Sequence, residues 1–389
     1  WAGMPALSDD SVAEQKLELL MTHAQTLPHL TFKGIRARQV VVPMNRPISN
    51  RAITLEHWPV ILIDLYTNEG VVGRSYLQPY LPRTMPWIIA ILEDLAAYLN
   101  GCPLVPCDMF REARRSLLSV GHQGLSLIAV SGLDMAVWDA LGHAANLPLC
   151  SLLGGSPAPV KAYSSNGLWF GDPQSKGDEA LELLAEGDFS AVKLRVGRER
   201  AREDVTAIDV VQQAVGADVE VMVDYSQAMN TSDALRRCHQ IDDMGLEWIE
   251  EPIFTDQLTG YAKLAAELKT PIQMGENFYG VMDLKHALAA KACDVVMVDL
   301  MRIGGVTGWL RSAAVAAAAE VPLSNHLYPE MSAHLLRVSD SAHWLEWLDW
   351  AIPVLAEPFV LDSGNLIIPD KPGTGIEWDE QYIAAHLVQ

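Results

Sequence analysis

Cysteine is scarce, positive charge is scarce, and no long apolar run is present. The five cysteines (Cys102, Cys107, Cys150, Cys238 and Cys293) form no CxxC pair and no Cys/His cluster. That argues against a zinc module and against a disulfide framework. Their odd number reads as free thiols in a reducing compartment, with a Cys102–Cys107 bridge as the alternative. Lysine and arginine number 28 against 49 acidic residues, a net charge of −21. Such a chain repels nucleic acid and anionic membrane surfaces, so neither is expected as a partner. No run reaches the ~18 apolar residues of a membrane span. No charged-then-apolar leader opens the chain, and a cytoplasmic protein is expected. No GxGxxG follows the first strand of the alternating region, against a dinucleotide-binding doubly wound sheet.

What the chain does hold is a large apolar budget, 50% of 389 residues, enough for two domains or a barrel with additions. Residues 1–31 read as a polar, helix-prone N-terminal extension. From Phe32 the pattern becomes a β-meander: Ile35–Pro43, a polar loop from Asn45 to Arg51, Pro59–Tyr66, a turn at Asn68-Glu69-Gly70, and Val71–Tyr76. Residues 84–148 have helical periodicity, and Asn146-Leu147-Pro148 stops the last helix. The Gly154–Pro159 stretch is the clearest linker, so residues 32–159 form one α+β unit. Strand and helix patterns then alternate over 160–350. Eight strand candidates begin at Val160, Ala191, Glu220, Glu247, Ile272, Val295, Leu323 and Trp344, about 20–31 residues apart. One strand, one helix and their loops fill that interval, which predicts an α/β fold with a closed parallel TIM barrel. The segment 351–389 is expected to pack back on the first unit.

Catalytic groups in such a barrel stand at the C-terminal ends of the strands. Here those ends carry Lys193 and Arg195, Asp224, Glu250, Glu276, Asp299, His326 and Glu346. One such residue alone is an ordinary cap or ion-pair partner. Seven charged strand ends at one barrel mouth serve no packing purpose, because desolvating them is costly. Asp224, Glu250 and Glu276 offer only oxygen donors, which suits Mg²⁺ better than zinc. Glu251 is the neighbouring candidate, but strand alternation turns it away. An Asp beside a His, as Asp299 beside His326, makes a general base. Glu346, if protonated, could donate a hydrogen bond to an enolate oxygen.

Several segments together resemble one family: Val221–Tyr225, Trp248–Pro252, Gln273–Asn277, Ile303–Trp309, Ser332–Leu336 and Ala342–Glu346. The chain from about residue 33 to 380 resembles the mandelate racemase subgroup of the enolase superfamily. That resemblance implies a modified (β/α)7β barrel with an N-terminal α+β capping domain, and a homo-oligomer, octamer or dimer. It implies one Mg²⁺ per active site on Asp224, Glu250 and Glu276, an Asp299–His326 dyad, and Glu346 bonded to the substrate carboxylate. Ser165 matches a position that contacts that carboxylate. Two departures follow. Arg195 stands where the racemase pattern has a second lysine, and a guanidinium is a poor base at neutral pH. The capping loop is polar, with Arg46, Asn50 and Arg51 as candidate substrate contacts, and Ser226 replaces an expected Asn. The expected chemistry is Mg²⁺-dependent removal of the α-proton of a 2-hydroxy carboxylate. Dehydration of an acid sugar to a 2-keto-3-deoxy acid comes first, and racemisation or epimerisation of a 2-hydroxy acid is the alternative.

Overall fold

The computed structural model describes residues 29–50 and 53–388. The expected N-terminal extension, apart from His29, Leu30 and Thr31, lies outside the described residues, and so does Arg51. Three antiparallel strands open the chain: β1 (Phe32–Ser49), β2 (Thr54–Thr67) and β3 (Val72–Leu77), in spatial order β1-β2-β3. The centre of β2, Trp58–Leu65, is an unbroken apolar run but for Pro59 and Asp64, as expected of a strand flanked on both sides and covered. The polar stretch read as a loop is instead mostly strand. β1 and β2 pair from Gly34 to Pro43, slip register, and pair again at Ile48–Leu55 and Ser49–Thr54. Ile48 is buried and anchors that second pairing.

Helix Leu125–Ala145 packs on β2 and β3 and ends at Asn146, whose left-handed backbone lets the chain turn back. By length and composition this helix could cross a membrane, but 83% of its apolar window is buried inside the protein. It also carries the buried Asp139 carboxylate. That carboxylate accepts hydrogen bonds from the Arg74 N–H, the Thr374 N–H and the Thr374 hydroxyl, tying the first sheet to the C-terminal segment.

Eight parallel strands follow: β4 (Val160–Ser164), β5 (Ala191–Arg195), β6 (Glu220–Asp224), β7 (Ile249–Glu250), β8 (Ile272–Met274), β9 (Val295–Asp299), β10 (Leu323–His326) and β11 (Leu345–Trp347). They pair in chain order from β4 to β10, and β11 pairs with β4. Between β10 and β11 the seam closes differently. Leu323 bridges to Ala342, and the Asn325 side chain bonds the Glu346 backbone at both N–H (2.8 Å) and C=O (3.4 Å). A hairpin, β12 (Val360–Asp362) with β13 (Asn365–Ile367), adds antiparallel to the start of β4. The C-terminal segment then returns to the first sheet, where Trp378 donates to Asp64 and Val388 N–H to the Gln39 carbonyl.

Alternation along the barrel strands separates a plug from a reactive mouth. Tyr163, Ala191, Met222, Trp248, Met297 and Trp344 form one buried cluster. Two residues further along their strands stand Ser165, Lys193, Asp224, Glu250, Asp299 and Glu346, on the same inward face.

The helix Pro329–Leu336 is pinned through His334, fully buried. Its Nδ1 accepts from Cys150 N–H (3.2 Å), so the proton sits on Nε2, which faces the Thr374 carbonyl (3.2 Å). Burial pushes His334 down to about 4 from an ordinary 6.5. The unfolded chain therefore binds this proton first. Stability from His334 is present above pH 6.5 and lost as pH falls through about 4, about 3 kcal/mol in all. Gln can mimic both hydrogen bonds without titrating. Urea unfolding at pH 7 and pH 4.5 should show a smaller acid loss for His334→Gln than for the parent; equal losses would contradict this.

Candidate active site

One cavity of about 270 Å³ opens at the C-terminal mouth of the barrel, beneath the first sheet. Lys193, Arg195, Asp224, Glu276, Arg302, His326 and Glu346 line its floor. Asn50, Ser226 and Gln227 add polar groups at the side, and Ile48, Ile53, Tyr80, Trp169, Leu348 and Trp350 make the wall.

Lys193 is the centre of the charge arrangement. Its ammonium donates to both Glu250 oxygens (2.9 Å each) and to Glu346 Oε1 (2.8 Å), and all three side chains are buried. Burial would lower the Lys193 pKa, but Glu250 and Glu346 outweigh it and raise it. Lys193 is therefore cationic. Glu346 also accepts from the Ser165 hydroxyl (2.7 Å) and Leu327 N–H (2.8 Å). Burial would raise Glu346, yet Lys193, His326 and these donors hold it well below the usual range. In this structure it accepts hydrogen bonds from Lys193, Ser165 and Leu327. Glu250 goes the other way: burial first, then Asp224, Glu346 and Glu276, push it up against the pull of Lys193.

The dyad is assembled. His326 Nδ1 lies 2.7 Å from Asp299 Oδ2, and Asp299 Oδ1 accepts from Met301 and Arg302 N–H. A buried acceptor on Nδ1 keeps a proton there and turns Nε2 to the cavity. Nε2 meets the Tyr80 hydroxyl and Glu276 Oε2, each at 3.2 Å. Burial would lower the His326 pKa; Glu276, the Asp299 hydrogen bond and Glu346 override it and raise it to about 9.

The carboxylates expected to hold a cation lie at neighbouring strand ends, with Asp224 paired in register to Glu250. Glu276 stands two residues past β8, delivered by Gly275 at φ 131°. Any side chain at 275 would meet the Met297 carbonyl at 2.7 Å, so only glycine makes this turn. Among the described residues, no three His, Cys, Asp or Glu side chains already form an array ready to grip an ion. Both Glu250 oxygens face Lys193, while Asp224 Oδ1 accepts from Ser226 N–H (2.6 Å) and hydroxyl (3.1 Å). Glu251 turns to Gly275 N–H and Asn277, away from Glu250.

Other expected contacts are placed differently. Ser165 is fully buried, with its hydroxyl between Glu346 and Arg195 (2.9 Å), behind the cavity lining. Arg195 also donates to the Ser165 carbonyl (2.6 Å) and lies over the Trp169 ring at 4.1 Å. Arg46 ion-pairs with Glu186 outside the cavity, because its strand continues past the expected loop. Asn50 does reach the cavity and donates to the Ser226 hydroxyl (3.3 Å). The apolar wall was not foreseen, nor was Arg302, which donates to the Glu276 carbonyl and Asn277 and lies over Tyr80. Its place three residues after Asp299 was the one available signal.

Residues 34–154 match the mandelate racemase / muconate lactonizing enzyme N-terminal domain, and residues 177–382 the enolase C-terminal domain-like family. The chain belongs to the mandelate racemase family of the enolase superfamily. Among curated relatives, the L-talarate/galactarate dehydratase of Salmonella typhimurium is 32% identical over 384 residues, covering 96% of this chain and 95% of that protein. A crystal structure of an enolase from the alpha proteobacterium bal199 with bound magnesium is 52% identical with TM-score 0.91, covering 92% of this chain and all of that one. A Bradyrhizobium enolase, complexed with magnesium and mandelic acid, is 38% identical with TM-score 0.89, covering 94% of this chain and all of that one. This family's fold is the barrel with an N-terminal sheet described above.

Replacing Lys193 by Met would leave Glu250 and Glu346 buried without their shared cation. Urea unfolding in chelator should show a loss of about 3–5 kcal/mol. A loss under about 1 kcal/mol would mean the cluster is not held by this ammonium.

Proposed function

We propose that this chain is a Mg²⁺-dependent enzyme that removes the α-proton of a 2-hydroxy carboxylate. The preferred outcome is dehydration of an acid sugar to a 2-keto-3-deoxy acid. The observation that carries it is the His326 Nε2, fixed by Asp299 and aimed into a cavity floored by Lys193 and carboxylates.

Asp224, Glu250 and Glu276 would hold the ion. The donor set fits: all oxygen, and burdened with buried negative charge that raises Glu250 and is only partly met by Lys193. When bound, the ion supplies positive charge beside the substrate carboxylate. Glu276 is the largest of the attractions that raise the His326 pKa, so His326 Nε2 would be freer to act as base with Glu276 engaged in holding the ion. Lys193 presents its charge to the same carboxylate, held in place by Glu346 and Ser165 behind it. Glu346 thus fixes Lys193 from the cavity floor. His326 takes the α-proton, and the imidazolium returns a proton to the departing β-hydroxyl, which leaves as water. The resulting enol becomes the 2-keto acid. Asn50, Ser226 and Gln227 are the groups placed to meet substrate hydroxyls. The Salmonella dehydratase, matched along nearly its whole length, supports this reaction.

Racemisation is the second reading, favoured by one observation. The cavity wall of Ile48, Ile53, Trp169, Leu348 and Trp350 suits an aryl or alkyl group, and the Bradyrhizobium neighbour was crystallised with mandelic acid. Against it, neither group that could serve the opposite face is available as a base. Arg195 is a guanidinium committed to Ser165 and Trp169, and Lys193 is kept protonated by two glutamates.

Proton NMR in D₂O with Mg²⁺, over a panel of aldonic, aldaric and aryl 2-hydroxy acids, decides between them. We expect one acid sugar to yield a 2-keto-3-deoxy acid. His326→Asn should lower α-proton exchange by about 10²–10⁴, and Arg195→Lys, which restores the second lysine of the racemase pattern, should open some exchange on the second face. An aryl acid that inverts with every hydroxyl retained would refute dehydration and establish racemisation.

A further inference from the structure

A second cavity, about 70 Å³, lies away from the barrel mouth, between the helices following the first sheet and two barrel helices. Helix Pro106–Ser116 contributes Phe110 and Arg114, the turn after it His122, and helix Gly305–Ala318 contributes Arg311. The volume is several times the ~10–15 Å³ that one water needs.

Arg114 and Arg311 both lie against the Phe110 ring, their guanidinium carbons 5.7 Å and 4.9 Å from its centroid. Among the described residues neither has an ion pair or a hydrogen-bond acceptor, and Arg114 Nε is buried without a partner. In a chain with 49 acidic residues against 28 basic ones, two neighbouring arginines without a carboxylate are unusual. They sense each other: burial and then Arg311 lower the Arg114 pKa. Asp134, which feels the Arg311 charge, is a poor counterion. It is committed to Thr307 N–H and hydroxyl, and burial pushes it up to about 7.

We propose that this cavity binds a small doubly charged oxyanion of the phosphate or sulfate class, held between Arg114 and Arg311 with His122 at its rim. Guanidinium forks match such oxygens in pairs. Because the two arginines come from the two sides of the junction, the anion would clamp the helices of the first unit to the barrel. The inference is independent of the reaction at the barrel mouth.

The test is calorimetric titration of inorganic phosphate into the full chain at constant ionic strength, with chloride as the control anion. Saturable binding is expected, at least tenfold tighter than chloride. Arg114→Gln and Arg311→Gln should each weaken it tenfold or more. Arg111→Gln, on the same helix but exposed and paired with Asp108, should leave it unchanged. Should Arg114→Gln fail to fold, the exposed Arg311 still supplies the test. Phosphate binding no better than chloride overturns the proposal. So does binding that survives both substitutions, since it then belongs to the arginine-lined barrel mouth.

Discussion

Three buried side chains, Lys193, Glu250 and Glu346, share one proton-rich centre at distances of 2.8–2.9 Å, and the barrel mouth is organised around them. Two carboxylates facing each other in a dry interior repel, and an unpaired ammonium there would shed its proton. Together they are tolerable. The ammonium holds Glu346 ionised, Glu346 aligns Ser165 and the Leu327 N–H, and Ser165 in turn fixes Arg195. The compensation is incomplete, because Asp224 and Glu276 add their charge nearby and Glu250 is left frustrated. An excess of buried negative charge with only oxygen donors is a standing demand for a hard divalent cation.

The surrounding fold serves that centre. An apolar plug of Tyr163, Trp248, Trp344 and their neighbours closes the barrel below, so the charges lie in low dielectric where their attractions are strong. The first sheet closes it above, bringing Ile48, Ile53 and Tyr80 over the mouth. Tyr80 reaches the His326 ring from a left-handed backbone position, φ 61°, a conformation that persists only where the surrounding packing enforces it. The cavity is thus built jointly by both sheets, and its charge and its shape have different origins.

That division explains what could be read from the sequence. Strand ends are visible in a chain because alternation and spacing are local, so Asp224, Asp299, His326 and Glu346 could be named and their inward direction stated. The wall could not. Ile48 reaches the cavity only because β1 slips register and continues through a stretch that looks like a polar loop. Trp169, Leu348 and Trp350 arrive from loops whose course no periodicity reveals. Of the polar residues in that stretch, Asn50 reaches the cavity, whereas Arg46 pairs with Glu186 outside it. Ser165 and Glu346 meet beside Lys193 and Arg195, and the directions of their hydrogen bonds depend on tertiary packing.

The central claim is that the carboxylates around Lys193 are completed by one Mg²⁺. Calorimetric titration of Mg²⁺ into the chelator-stripped chain, beside Glu276→Gln, tests it most directly. The account predicts saturable binding of one ion per chain, weakened at least tenfold in the variant. Absence of saturable binding, or equal binding by Glu276→Gln, would contradict it.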